Sequence, residues 1–317
     1  MPPREDAGGS APGRRRRWRR LRPHGWWRLV YVPIGLLAAY LVGFPIVMAV
    51  YSTHPPRPSL GSSTPADHSL EYRDVEFPAS DGVRLSGWYV PTRTGAAVAV
   101  LHGSGSSRTA VLGQAAVLAR HGSGVLLFDA RGMGHSGGRA MNRGWYGDRD
   151  VAGALDFLAG QGGVDASRLG ALGESMGGEE AIGAMAADSR LRAVVAEGAT
   201  NRVASDLSWL SDRYGLRGFV QEGLNHVTDA LTNVLTPASP PRTLRSAVRA
   251  AAPRPVLLIT AGRVADERVA ARHIAAASPS SVSTWDVPGA SHTGGLRTAV
   301  AEWERRVLAF FDGALRA

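Results

Sequence analysis

The chain has 317 residues, 44% of them hydrophobic and 7% aromatic, with no cysteine and a formal charge of +9. That length holds one domain of about 250 residues plus an appendage, and the absence of cysteine excludes disulfides, thiol nucleophiles and cysteine-based metal sites. The charge does not mark a nucleic-acid binder, because nine arginines against Glu5 and Asp6 in residues 1–30 account for +7 of it and leave +2 for the rest.

Residues 1–28 open with Pro, Gly and Ser and run into Arg14-Arg15-Arg16-Arg17-Trp18-Arg19-Arg20, a stretch unable to bury a core and read as a disordered basic tail. Residues 29–51 carry no charge; 23 residues rising about 1.5 Å each span roughly 34 Å, enough for the hydrocarbon layer. The segment is read as a transmembrane helix, an uncleaved signal anchor rather than a cleaved signal, since its apolar run is too long and its exit, Met48-Ala49-Val50-Tyr51-Ser52, is a poor cleavage site. Eight arginines precede it between Arg14 and Arg28, against Arg57 alone on the other flank up to residue 70. The expectation is a cytoplasmic N-terminus and an extracytoplasmic domain at the cell membrane. Residues 52–70, rich in Pro and Ser, are expected to be a spacer.

From residue 71 onward the pattern is that of an α/β domain. Tyr72–Phe77 and Val83–Val90 flank Ser80-Asp81-Gly82 as a hairpin. Short apolar strands at 97–101, 124–128, 169–172 and 191–195 then alternate with helical segments at 109–120, 148–159 and 178–187, which predicts a mostly parallel sheet covered on both faces. Residues 198 to about 250 hold helical segments without a strand and are expected to form a cap. Strands at 255–260 and 282–287 resume the rhythm, with helices at 267–277 and 298–315; Ala301, Trp303, Val307, Phe310 and Phe311 mark the core face of the last.

The chemistry centres on Gly173-Glu174-Ser175-Met176-Gly177-Gly178, between a strand and a helix. A G-x-S-x-G elbow holds its serine in a strained, exposed position, making Ser175 the candidate nucleophile. Gly134-His135-Ser136-Gly137-Gly138 also fits the pattern but leads into no apolar helix, so Ser136 is set aside. A serine needs a base and a group that orients it. His292 lies in a glycine-rich loop after the last strand, whereas His226 falls in the presumed cap and His273 on a helix. For the acid, the loop after the preceding strand offers Asp266 first and Glu267 as the alternative, ahead of Asp286 within a strand. The oxyanion donors expected are the N–H groups of Met176 and of Ser104, in His102-Gly103-Ser104-Gly105. Gly132-Met133-Gly134-His135-Ser136-Gly137 matches a dinucleotide-binding pattern but opens no helix, and Glu179-Glu180 is explained by the helix dipole. No cofactor or metal is expected.

On these residues, together with Asp129-Ala130-Arg131-Gly132-Met133-Gly134-His135-Ser136, residues 70–317 resemble the α/β-hydrolase superfamily, in its dienelactone-hydrolase-like and serine-aminopeptidase-like branch. The order Ser175, Asp266, His292 matches that family, although Ala270 stands where a proline often follows the valine of its acid loop. The resemblance implies an eight-stranded, mostly parallel sheet with a helical cap, here preceded by a membrane helix. It also implies a serine hydrolase acting on an ester-type bond of a small-molecule or lipid-like acyl substrate. A peptidase or thioesterase with the same triad is the alternative, and a catalytically silent binding module of the same fold a further one.

Overall fold

The computed structural model describes residues 26–316, so the basic tail lies outside the described residues except for its last three. The chain divides into two units, Met1–Val42 and Gly43–Ala317. The described part of the first is one helix, which continues into the second: α1 runs from Trp26 to Thr53. It is long and apolar enough to cross a membrane by length and composition, and longer at both ends than the uncharged run alone predicts.

In the second unit, the last turns of α1 bury Ala49, Ser52 and Thr53. The Asn142 N–H donates to the Ser52 carbonyl at 2.9 Å, and Arg139 Nε donates to that of Thr53 at 3.1 Å. The segment expected to be a spacer is laid on the domain instead. Arg57 donates to the carbonyls of Gly134 (3.1 Å) and Ser136 (2.7 Å), and Leu60 and Leu70 pack on the core. Composition predicts a semi-extended chain there; Leu60, Leu70, the buried Pro65 and the Arg57 guanidinium help to attach it.

Eight strands form a single sheet: β1 (Arg73–Pro78), β2 (Arg84–Val90), β3 (Ala97–Leu101), β4 (Gly124–Phe128), β5 (Leu169–Glu174), β6 (Leu191–Glu197), β7 (Val256–Ala261) and β8 (Val282–Val287). Their spatial order is 1-2-4-3-5-6-7-8. β2 runs antiparallel to both β1 and β4, and every other pairing is parallel. The central strands are apolar without alternation because both faces are covered. Every residue of β3 is buried, and each fully buried Val or Leu contributes about 1.5–3 kcal/mol.

One face packs on α3 (Gly147–Ala159), α4 (Met176–Ala187), α7 (Leu244–Ala251) and α8 (Ala265–Ala275); the other packs on α2 (Leu112–His121) and on α10 (Val300–Ala314), which follows the single turn α9 (Gly295–Thr298). In α10 the buried stripe is Trp303, Val307 and Phe311, with Ala301 exposed. Between β6 and β7 lie α5 (Leu210–Tyr214) and α6 (Leu216–Leu235). α7 follows them in sequence but buries Leu244, Ala247, Val248 and Ala251 in the core beneath the sheet. The insertion therefore ends before α7 rather than near residue 250.

Candidate active site

β5 ends at Glu174 and α4 begins at Met176, so the chain reverses about one residue. Ser175 takes up φ 51°, ψ −120°, a conformation unfavourable for any residue with a side chain. The reversal brings backbone onto backbone: a Cβ on Gly173 would sit 2.2 Å from the carbonyl carbon of Gly177, and one on Gly177 would sit 2.7 Å from the His102 carbonyl oxygen. Only glycine fits at these two places. The Ser175 N–H donates to the Glu197 carbonyl at 2.7 Å, which anchors the elbow to the end of β6.

The structure brings Ser175 and His292 together, with Ser175 Oγ 3.0 Å from His292 Nε2. On the other side of the ring, His292 Nδ1 lies 2.7 Å from Glu267 Oε1. Asp266 is not there. Its carboxylate is exposed on the outer side of α8, accepting from the Tyr214 hydroxyl at 2.5 Å and lying 3.6 Å from Arg213. The structure thus sets the alternative, Glu267, and not the first choice against His292, because α8 starts at Ala265 and its phase turns residue 267 inward. Glu267 is 1% exposed, and its Oε2 accepts from the Ala261 N–H at 2.8 Å, so both oxygens are fixed. Its hydrogen bond holds the His292 imidazole above the ordinary value, against the opposing effect of partial burial.

The loop that carries His292 is held by a residue the sequence reading passed over. Glu197, buried at the end of β6, accepts from Gly295 N–H at 2.6 Å and from Trp303 Nε1 at 2.9 Å; burial raises its carboxyl above the usual range. With its backbone carbonyl on Ser175, Glu197 ties nucleophile and histidine loop to one point. A charged residue closing the buried apolar run Ala193–Ala196 is the signal that could have found it. Glu174, its cross-strand neighbour, accepts from Gln114 Nε2; burial and the charge of Glu197 push it up to about 8.

On the oxyanion side, Met176 supplies the first amide of α4, which has no acceptor within the helix. Gly103, the residue before Ser104, lies against the serine, where a Cβ would be 3.4 Å from that of Ser175. His102 shapes this turn: its Nε2 accepts from Ala130 N–H at 3.0 Å and its Nδ1 is 2.8 Å from the Gly103 carbonyl. Burial lowers the pKa of this ring.

The remaining motif residues are structural. Ser136 is buried, accepting from Ser86 N–H at 2.9 Å and donating to the Asp129 carbonyl at 2.6 Å. Glu179 accepts from the N–H groups of Thr200 and Asn201, both at 2.9 Å. It and Glu180 are buried at the start of α4. His226 is exposed on α6, and His273 sits on α8 beside Ser208. Among the described residues no His, Asp and Glu cluster could hold a metal ion. A cavity of about 370 Å³ opens at the amino edge of the strands, lined by Ser123, Arg168 and Phe311, far from Ser175.

The serine aminopeptidase (S33) family matches residues 92–232. An uncharacterised protein of Mycobacterium tuberculosis is 39% identical over 131 residues, 40% of this chain and 44% of that protein. The thiohydrolase aneE of Aspergillus aculeatus is 35% identical over 128 residues, 39% of this chain and 40% of that protein. The chain thus spans about half the length of the curated relatives it matches. Among solved structures, the esterase Pf2001 of Pyrococcus furiosus superposes with a TM-score of 0.65 at 25% identity, covering 83% of this chain and 98% of that one. With this sheet order, the serine elbow and these relatives, the chain belongs to the α/β-hydrolase superfamily.

Proposed function

We propose that the chain is a membrane-tethered serine hydrolase that cleaves carboxylic esters through an acyl-enzyme. The observation that carries the reading is the line Ser175 Oγ, His292, Glu267, with separations of 3.0 and 2.7 Å, on a serine held in the strained elbow. Glu267 fixes the tautomer with the proton on Nδ1, leaving the Nε2 lone pair facing Ser175. As Ser175 Oγ bonds to the ester carbonyl carbon, its proton passes to His292 Nε2, and the N–H groups of Met176 and Ser104 receive the oxyanion. Collapse breaks the bond to the alkoxy oxygen, which leaves with the proton from His292. Water, deprotonated by the same nitrogen, then releases the acid. A fluorophosphonate probe should label the wild type and leave Ser175→Ala unlabelled; equal labelling refutes the reading.

The likeness to an Aspergillus thiohydrolase favours a thioester as the second substrate class, decided by comparing an oxoester and a thioester with the same acyl group. For the membrane, α1 is the anchor, with the arginine-rich tail cytoplasmic and the hydrolase domain outside. Protease added to intact cells should digest the domain, and protection reverses the orientation.

A further inference from the structure

α6 is amphipathic the wrong way round for a helix whose outer face meets water. It buries Gly218, Leu224, Thr228 and Thr232. It exposes Leu216 (79%), Phe219 (66%), Val227 (50%) and Val234 (82%). With Val220 and Ala230, which are also exposed, these fall at three-, four- and seven-residue intervals, the longest bridged by the exposed Gly223, and form one apolar stripe along the helix. A soluble monomer rarely leaves a continuous stripe of this kind uncovered.

What covers it follows from where the helix is fastened. Just before α6, Tyr214 donates to Asp266 beside the acid of the site. Further along, Asp229 pairs with Arg143. The same loop after β4 holds the end of the apolar helix α1, through Asn142 on Ser52 and Arg139 on Thr53. The carboxyl edge of the sheet, the stripe of α6 and the point where the chain leaves α1 therefore share one end of the domain. The residues after α1 lie flat on the domain through Arg57, Leu60 and Leu70, which gives the domain no spacer. The aromatic and basic groups flanking the start of α6 suit a headgroup layer: Arg213 and Arg217 lie 5.3 and 5.9 Å from the Tyr214 ring centroid, with apolar stems able to lie along the surface and charged ends able to reach lipid phosphates.

We infer that the apolar stripe of α6 rests in the interface of the bilayer that α1 crosses, so that the site takes acyl lipid esters directly from that membrane. The inference rests on the reading of α1 as a membrane span. Because the chain has no cysteine, single cysteines introduced as Phe219→Cys, Val227→Cys and, as an exposed reference on α10, Arg305→Cys can each carry one environment-sensitive nitrobenzoxadiazole dye. The full chain is reconstituted into vesicles of phosphatidylcholine and phosphatidylglycerol with or without spin-labelled lipid. Dyes at 219 and 227 should be blue-shifted and lose most of their emission to the spin label, while the dye at 305 stays water-like. Water-like, unquenched dyes at 219 and 227 overturn the docking, as does lipid-independent protection with disulfide trapping of Val227→Cys into a dimer, which would make a second copy the occupant. Carbonate extraction separates the two readings: release of the chain overturns the span and the docking together, whereas retention with unquenched dyes overturns the docking alone. In a parallel arm, Phe219→Asp combined with Val227→Asp should lower the rate on a vesicle-embedded long-chain ester, relative to a soluble short-chain ester, by about tenfold. An unchanged ratio overturns the proposal.

Discussion

Replacing Glu267 by Gln tests the acid at constant shape. The two oxygens of Glu267 face a ring nitrogen at 2.7 Å and the Ala261 N–H at 2.8 Å, and glutamine has only one oxygen to offer. If that oxygen keeps the buried N–H, the amide NH2 points at His292 Nδ1 and forces the ring proton onto Nε2, where it cannot accept from Ser175. If the amide flips, two donors oppose each other at Ala261, at a cost of about 1–3 kcal/mol. Either way the base is lost or mispositioned, and kcat/KM should fall by about 10⁴-fold, the scale seen when a triad acid is made neutral, or about 5.5 kcal/mol of transition-state stabilisation. The pH profile gives a second reading. His292 must be neutral to act, and Glu267 raises its pKa, so residual activity in Glu267→Gln should persist to lower pH than in the wild type. Asp266→Asn removes only an exposed pairing with Tyr214 and Arg213 and should stay within about twofold. Hydrolysis of a p-nitrophenyl ester across pH, with melting curves to verify folding, decides it. A hundredfold loss in Asp266→Asn with more than a tenth of the rate kept in Glu267→Gln refutes the assignment.

Glu197→Gln leaves either Gly295 N–H or Trp303 Nε1 facing another donor; kcat should fall about tenfold with KM little changed, whereas a purely structural role would lower Tm and leave kcat per folded molecule intact. Ser136→Ala strips partners from Ser86 N–H and the Asp129 carbonyl. It should lower stability by about 1–3 kcal/mol in a thermal melt, yet keep fluorophosphonate labelling at Ser175. Glu174 is raised from an ordinary 4.5 to about 8 in the folded state, so its contribution is fully present below the unfolded value and is lost as pH rises through about 8. Glu174→Gln, neutral throughout and still able to accept from Gln114, should therefore gain Tm relative to the wild type as pH goes from 5 to 9; a constant difference refutes the assignment.

The parts of the fold legible in the sequence are those where one local cause dictates the outcome. Strands β3 to β7 could be read because burial on both faces leaves no polar position in their middles, and the elbow because its backbone crowding admits only glycine at 173 and 177. What could not be read depends on neighbours that are distant in sequence. The Pro/Ser composition of residues 52–70 is that of a free chain, and only the carbonyls of Gly134 and Ser136, supplied by another loop, show why Arg57 fastens it down. Likewise α7 looks like one more cap helix until its stripe Leu244, Ala247, Val248 and Ala251 is seen against the core.

The choice between Asp266 and Glu267 falls between these cases, because the deciding information was present in the sequence as a phase. Successive residues on a helix point about 100° apart, so adjacent carboxylates at a helix start cannot both face the same histidine. The buried positions of α8 are Glu267, Ala270, Ala271 and Ile274, spaced by three, four and seven from the first. Carrying the apolar stripe Ala270, Ala271, Ile274 back one turn lands on 267 and not on 266. The helix offers a physical reason for glutamate here: the carboxyl must reach both the Ala261 N–H and the His292 ring from the first turn of α8, and the longer side chain spans that gap. Glu267→Asp should accordingly keep the charge but lose the reach, with kcat/KM between wild type and Glu267→Gln; full activity in Glu267→Asp would show that reach does not matter and that charge alone orients His292.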